Sequence, residues 1–480
     1  MPSQTHLLND KKNFSFTAPA PVYSQQEWLS WLRPDRLILR LIGFCLQIAF
    51  FIPRLLLWTL AKGLTWTGLK ILPKILLGIV HGLGSIVLMA QLRDTDNSWQ
   101  ERLRSPEAGL SLAPTESKEA FSIKTGSVHT HEGASLETVE IEHPENKGQK
   151  VSERRYLIKF SGGLTLIQDY LNQDHAPLLA KEMQDKKASV ILFNNRGVGQ
   201  SRGNFWNVFG AASIDHLLID DIAQIQRILN DNGYEKYGDP YPLIFLDAFS
   251  LGGPRAARVA KHFHDKVIKI FLEDNMSPAS IADYVTCHLF PHFHKPRKTL
   301  IGMLTQISAY GLWLILKLLL RLSGWEVDTA TYYTAIPEGE GRYRRHRTYR
   351  ASKENRHTEN QAGDFSVPYG ASLHKSPLVQ QERKKGKEGN KAGLTDYKKQ
   401  TAWRSKIALD LESHPLATER FDAHRAPCEI IATELTEKWS PAFPFRPFVL
   451  QTRNGAELYK DSLSYFEDTV STHQMDLKSQ

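Results

Sequence analysis

The sequence predicts an α/β protein, a mostly parallel sheet with helices on both faces, and three observations carry that expectation. From about Leu157 onward short apolar runs alternate with segments of helical period. Several of those runs end in loops rich in Gly, Ser and Asn. One of them, Leu243 to Phe249, ends in Ser250, with Gly252 and Gly253 following. Strands separated by helices of this length cannot pair as hairpins and imply parallel pairing, which places functional loops at the strands' carboxyl ends.

The elements follow in order. Residues 1–35 are polar and lack a continuous apolar core, so no cleavable signal peptide is expected. Residues 36–94 are unusually apolar, broken by Arg40, Arg54, Lys62, Lys70 and Lys74 and by Pro53 and Pro73. The last part, Ile75 to Leu92, carries no formal charge and is near the lower length for a spanning helix; an interfacial helix pair fits the same residues, because basic side chains snorkel to a headgroup layer. This region is expected to be helical and membrane-interacting, and residues 95–120 to be a polar linker.

Phe121 to Thr125 and Leu136 to Glu142 alternate with period two and read as an antiparallel start to the sheet. Strands are then expected at Tyr156 to Phe160, Ala188 to Phe193, the run ending at Asp247, and Val267 to Leu272. Helices are expected at His175 to Gln184, at Ser213 to Leu229, and from the Ser250 turn through Val259. The apolar run 301–320 reads as a cap, lid or buried helix. Residues 380–402 form a Lys- and Gly-rich insertion, Lys406 to Leu411 a last strand, and 431–480 a C-terminal extension to an α/β domain spanning 121–430.

Composition excludes several classes. Three cysteines, Cys45, Cys287 and Cys428, lie far apart without metal-ligand or disulfide-framework spacing. A net charge of +8 is compatible with anionic membranes or acidic partners. The basic stretch Arg342, Arg344, Arg345, Arg347 and Arg350 reads as a solvated loop or strand face, and no nucleic-acid partner is expected. Gly197, Gly199 and Gly203 lack the Lys-Ser/Thr ending of a phosphate loop and do not continue as G-x-G-x-x-G. No cofactor or metal is expected.

The chemistry centres on Ser250. A nucleophilic hydroxyl must be lifted on a tight strand-to-helix turn with a backbone N–H beside it to receive a developing oxyanion. Ala248 and Gly252 supply small residues on either side, a G-x-S-x-G pattern with alanine for the first glycine.

The loop Asn195 to Gly203 and the turn Ala248 to Gly253 resemble, in order and separation, the loop after the fourth strand and the nucleophile elbow of α/β-hydrolases. The apolar front end joined to such a domain is also similar to a group of chlamydial and other intracellular-bacterial secreted effectors. The first resemblance implies the α/β-hydrolase fold, a serine nucleophile, then an acid, then a histidine after the last strand. On that pattern Ser250 is the nucleophile, Asp364 in Asp364-Phe365-Ser366-Val367-Pro368 the acid with Asp274 as alternate, and His414 the base with His424 as alternate. His374 is set aside as too close to Asp364. The oxyanion donors are the amide of Leu251 and one from Gly162 or Gly163. The implied activity is a membrane-associated serine hydrolase acting on an ester or thioester, with membrane lipid or a small ester as substrate. The second resemblance implies a bacterial protein delivered into a host cell, with a host protein as a further partner. A noncatalytic scaffold of the same fold that binds membrane or host protein is the alternative.

Overall fold

The computed structural model describes residues 14–20, 51–64, 72, 75–76, most of 121–336, then 343–347, 371–382 and 453–479; within 121–336 it leaves out 161, 163–165, 172–175, 204–210, 212, 276 and 291–298. Eight strands form one sheet: β1 (Phe14–Thr17), β2 (Ser122–His129), β3 (Ser135–Glu142), β4 (Arg155–Phe160), β5 (Ser189–Phe193), β6 (Leu243–Phe249), β7 (Phe271–Asn275) and β8 (Arg344–Arg347). Their spatial order is β1-β2-β3-β5-β4-β6-β7-β8. β3 runs antiparallel to β2 and β5, and β5, β4, β6, β7 and β8 are mutually parallel. This is a mixed α/β architecture consistent with the α/β-hydrolase fold.

The helices are α1 (Ile167–Tyr170), α2 (Ala176–Lys186), α3 (Ile214–Asp231), α4 (Gly252–His264), α5 (Ile281–Leu289), α6 (Leu300–Leu322), α7 (Thr329–Ala335) and α8 (Arg453–Ser479). α4 packs on α3, α7 and strands β4, β6 and β7, while α2 contacts α8. The near-continuous apolar runs of β4, β5 and β6 follow from that double cover, since a parallel sheet buried on both faces has no polar side. Residues Leu157, Ile158, Val190, Ile191, Ile244, Phe245 and Leu246 are fully buried. Tyr465 and Phe466 of α8 join the same core, so part of the 431–480 extension packs on the sheet.

Several expectations shift. The strand expected at Val267 to Leu272 is realised as Phe271–Asn275, because the chain first completes a turn in which Val267 takes φ +65° and its N–H donates to the His264 carbonyl. Within the basic stretch Arg344 and Arg345 are not solvated: both are buried on β8, Arg344 pairing with Glu382 and Arg345 with Glu273 at 2.6 Å, while Arg342 and Arg350 lie outside the described residues. β1 lies within the segment read as merely polar and pairs in parallel with β2, Phe14 opposite Gly126. Near the N-terminus the described residues 51–64 are helical, with Ile52, Leu56 and Leu60 exposed; the described stretch alone is shorter than the roughly 17 residues a span needs. No apolar helix able to span is found there among the described residues, and most of the uncharged stretch 75–92 lies outside them. By length and composition α6 is the described helix able to cross a membrane.

Candidate active site

β6 delivers the chain to Ser250 at the sheet's carboxyl edge. Ala248 sits in register between Phe160 of β4 and Asp274 of β7 and is fully buried, so its methyl group fits where the pattern has glycine. Ser250 then takes φ +54°, in the left-handed region that a residue with a Cβ adopts at a cost of about 1–3 kcal/mol. The strain is held on several sides. The Ser250 N–H donates to the Asn275 carbonyl at 2.9 Å, and its carbonyl accepts from Gly253 N–H at 3.1 Å and from Ser277 Oγ at 2.8 Å. α4 starts at Gly252, so the Leu251 amide stands at a helix N-terminus where the dipole favours negative charge.

Gly162 flanks this turn. The register of β4 and β6 carried two residues past Phe160 and Ala248 puts it beside Ser250, and a Cβ built there would lie 3.3 Å from the Ser250 Cβ. Main chain can therefore approach the serine closely, as an oxyanion donor must. The Ser250 hydroxyl makes no hydrogen bond to the described residues, and it is nearly buried. Leu251 packs on a cluster containing Leu166, Val198, Ile214, Ile281, Leu320 and Trp325, which joins α3, α5 and the end of α6 to the elbow.

Gly253 is where the helix presses on the next strand. A Cβ at Gly253 would fall 1.8 Å from Ser277 Oγ and 2.3 Å from Asp274 Oδ1, both buried. Gly253→Ala is expected to lose at least the roughly 1–3 kcal/mol of an overpacked core and to disturb the elbow, read as a lowered urea midpoint. An unchanged midpoint would show that α4 does not press there.

Asp274 lies inside β7 rather than just after a strand. Its Oδ1 meets Ser277 Oγ, whose single proton is shared between it and the Ser250 carbonyl, while Oδ2 is buried without a partner. Burial pushes its carboxyl up to about 7, against which the Ser277 hydroxyl acts weakly. The folded state therefore holds the proton more tightly than the unfolded state does. The stability this confers is fully present below the unfolded pKa near 4 and is lost as pH rises through about 7. Asp274→Asn is expected to remove this contribution, flattening the fall in thermal or urea stability between pH 4 and 7 by up to a few kcal/mol. A variant whose pH profile tracks the wild type would contradict that placement.

The loop after β5 is tightly organised. Gly197 and Gly199 take positive φ, and a Cβ at Gly199 would meet Asn194 Nδ2 at 2.4 Å and Glu137 Oε2 at 2.7 Å. Arg196 is fully buried, donating from Nε at 2.9 Å and Nη2 at 2.6 Å to Asp220 Oδ1, and from Nη1 at 3.0 Å to Glu132. Asn194 Oδ1 accepts from Ile167 N–H at 3.1 Å, tying this loop to α1. These contacts fix the loop at the carboxyl edge of the sheet.

Of the residues the sequence nominates, the structure brings together Ser250, Leu251, Gly162 and Asp274. Asp364, His414, His424 and Gly163 lie outside the described residues. Sequence reasoning missed Ser277, which bonds both Ser250 and Asp274, and a histidine pair nearby. His346 on β8 is in register with Asp274; its Nε2 is 3.3 Å from His374 Nδ1 and its Nδ1 3.1 Å from the Tyr333 hydroxyl. His374 belongs to the turn Leu373–Lys375, whose Leu373 N–H donates to the Ser277 carbonyl at 2.8 Å. No apolar pattern marks this strand, so the sequence held no signal for it. No grouping of three or more His, Cys, Asp or Glu able to hold a metal occurs among the described residues.

No protein-family model matches the chain, and no curated protein matches it. Among solved structures the chain is similar to an esterase of Pyrococcus furiosus, at 14% identity and TM-score 0.33, covering 55% of this chain and 79% of that one. It is similar also to an α/β-hydrolase of Vibrio vulnificus, at 16% identity and TM-score 0.30, covering 53% and 73%. A hyperthermophilic esterase from Pyrobaculum calidifontis gives 12% identity and TM-score 0.24 over 40% and 57%. At these scores the overlap carries no weight for activity, and the fold class rests on the chain's own strand order.

Proposed function

We propose that this protein is a membrane-associated serine hydrolase that cleaves an ester or thioester through an acyl-enzyme, with ester-linked lipid as the preferred substrate class. The observation that carries this reading is Ser250 at φ +54° between β6 and α4. A strained, non-glycine residue at that turn presents a hydroxyl at a helix N-terminus beside a glycine loop, and such strain concentrates where geometry serves chemistry.

In this reading Ser250 Oγ attacks the substrate carbonyl carbon as its proton passes to His414, which Asp364 orients, with Asp274 and His424 as the alternates. The Leu251 amide and an amide of Gly162 or Gly163 receive the oxyanion. The tetrahedral intermediate collapses with loss of the alcohol or thiol, protonated by the same histidine. Water then attacks the acyl-serine, releasing the acid and restoring the hydroxyl. The apolar front end and α6 support the membrane part of the reading, since both expose aliphatic side chains.

Incubation with a panel of fluorophosphonate probes tests it. One covalent adduct, mapped by mass spectrometry to the peptide holding Ser250, is expected. Folded protein left unlabelled by every probe would defeat the hydrolase and leave the noncatalytic scaffold.

A further inference from the structure

We infer that Ser277 is a positioning residue for the Ser250 elbow, and that the proton on Asp274 decides whether Ser277 holds that elbow or releases it. The inference rests on the reading of Ser250 as a nucleophile and adds a regulation of the same site.

The geometry is a chain of three groups. Ser277 Oγ lies 2.8 Å from the Ser250 carbonyl oxygen and also meets Asp274 Oδ1. A hydroxyl has one proton to give, so it serves one of these acceptors at a time. With Asp274 neutral both bonds stand, the carboxyl donating to Ser277 Oγ and the Ser277 hydroxyl donating to the Ser250 carbonyl. With Asp274 ionised the carboxylate only accepts. It then draws the Ser277 proton, because a charge-assisted hydrogen bond is about twice as strong as a neutral one. The Ser250 carbonyl is left with the Gly253 N–H at 3.1 Å.

That loss matters at a residue with φ +54°, a conformation that persists only where the surroundings over-determine it. The bonds to Asn275 and from Gly253 are backbone to backbone and do not titrate. The Ser277 bond is made by a side chain, so chemistry at its far end is felt at the elbow. Ser277 is itself fixed in place. It is buried, its carbonyl accepts from Leu373 N–H at 2.8 Å, and Gly253, having no Cβ, leaves the space that Ser277 Oγ fills.

The surroundings favour the neutral acid. Ala248 of β6 and Gly253 of α4 lie against Asp274 without charge, and it makes no ion pair among the described residues. Its titratable neighbour is His346, opposite on β8, whose ring nitrogens meet the Tyr333 hydroxyl and His374. Burial pushes the Asp274 carboxyl up to about 7, within the range where a histidine base works. Below that pH the elbow is held, and above it the tie is lost. A serine activated by histidine gains rate as pH rises, since the base must lose its proton. The released elbow adds a fall on the alkaline side.

The test follows the second-order rate of fluorophosphonate labelling of the full chain from about pH 5 to 9, a span that brackets both titrations. Wild type is expected to fall about twofold to tenfold above pH 7, the fold-change of one ordinary hydrogen bond. Ser277→Ala is expected to label slower by the same factor at about pH 6 and to show no alkaline fall. Asp274→Asn, whose amide donates to Ser277 at every pH, is expected to lose the alkaline fall as well. A fall kept in Asp274→Asn would assign the titration to His346 and overturn the inference. So would a wild type flat above pH 7, or a Ser277→Ala profile that keeps the wild-type shape. Hydrogen exchange of the peptide holding Ser250, corrected for intrinsic rates, reads the elbow without its chemistry. Faster exchange at about pH 8 than at pH 6 in wild type, and not in Asp274→Asn, supports the tie even where no probe labels, which would defeat the nucleophile alone. Equal exchange at both pH values would overturn the tie and leave the nucleophile standing.

Discussion

Replacing Ser250 with alanine is expected to abolish covalent labelling and to lower ester hydrolysis by roughly 10⁴-fold or more, the scale on which loss of a nucleophile acts when the rest of the site remains. The same position offers an internal control through its backbone. Because Ser250 holds φ +54°, alanine inherits the strain and glycine does not. Ser250→Gly should therefore be more stable than Ser250→Ala by about 1 kcal/mol, while both are inactive. Thermal melts of the two variants beside the labelling assay check this. Retained labelling in Ser250→Ala would assign the adduct to another residue, and equal stability of the two would deny the strained turn.

The largest expected loss of stability falls on Arg196→Met. This change leaves the Asp220 carboxylate fully buried with its guanidinium partner gone and strips Glu132 of the same contact. An unpaired buried charge of this kind costs about 3–5 kcal/mol. For a chain of this size that corresponds to a drop on the order of 10 °C in Tm, and to a matching fall in urea midpoint. Removing the orphaned charge as well, in Arg196→Met/Asp220→Asn, should recover much of the loss, since the asparagine oxygen still accepts from the Arg196 N–H that Asp220 Oδ2 meets at 3.2 Å. A single variant within 1 kcal/mol of wild type would show that water reaches the pair.

The parts legible in the sequence are those whose pattern is local. Leu157, Ile158, Val190, Ile191 and the run before Ser250 read as strands because double burial makes them continuously apolar. The elbow was legible because small residues bracket a serine at a strand end. β8 was not, since its Arg344 and Arg345 become buried only when Glu382 and Glu273, from elsewhere in the chain, neutralise them. The end of α4 misled for a related reason: Val267 looks like the start of a strand, yet its position is fixed by a turn closing on His264. At the site, Ser277 and the His346–His374 pair owe their place to the register of β7 and β8, which no local motif encodes.

The short strand β1 has a topological consequence. Its residues Phe14 to Thr17 hydrogen-bond in register with Gly126 to His129 of β2, so the chain before residue 21 and the chain after residue 120 are fastened to neighbouring positions in one sheet. Departure and return therefore share one side of any bilayer. Whatever the intervening hundred residues do in lipid, their number of crossings must be even: none, as a segment resting on the surface, or two, as a hairpin. A single-pass anchor there is forbidden by parity so long as β1 and β2 remain paired. A reporter of sidedness placed at residue 10 and another at residue 130 should always agree.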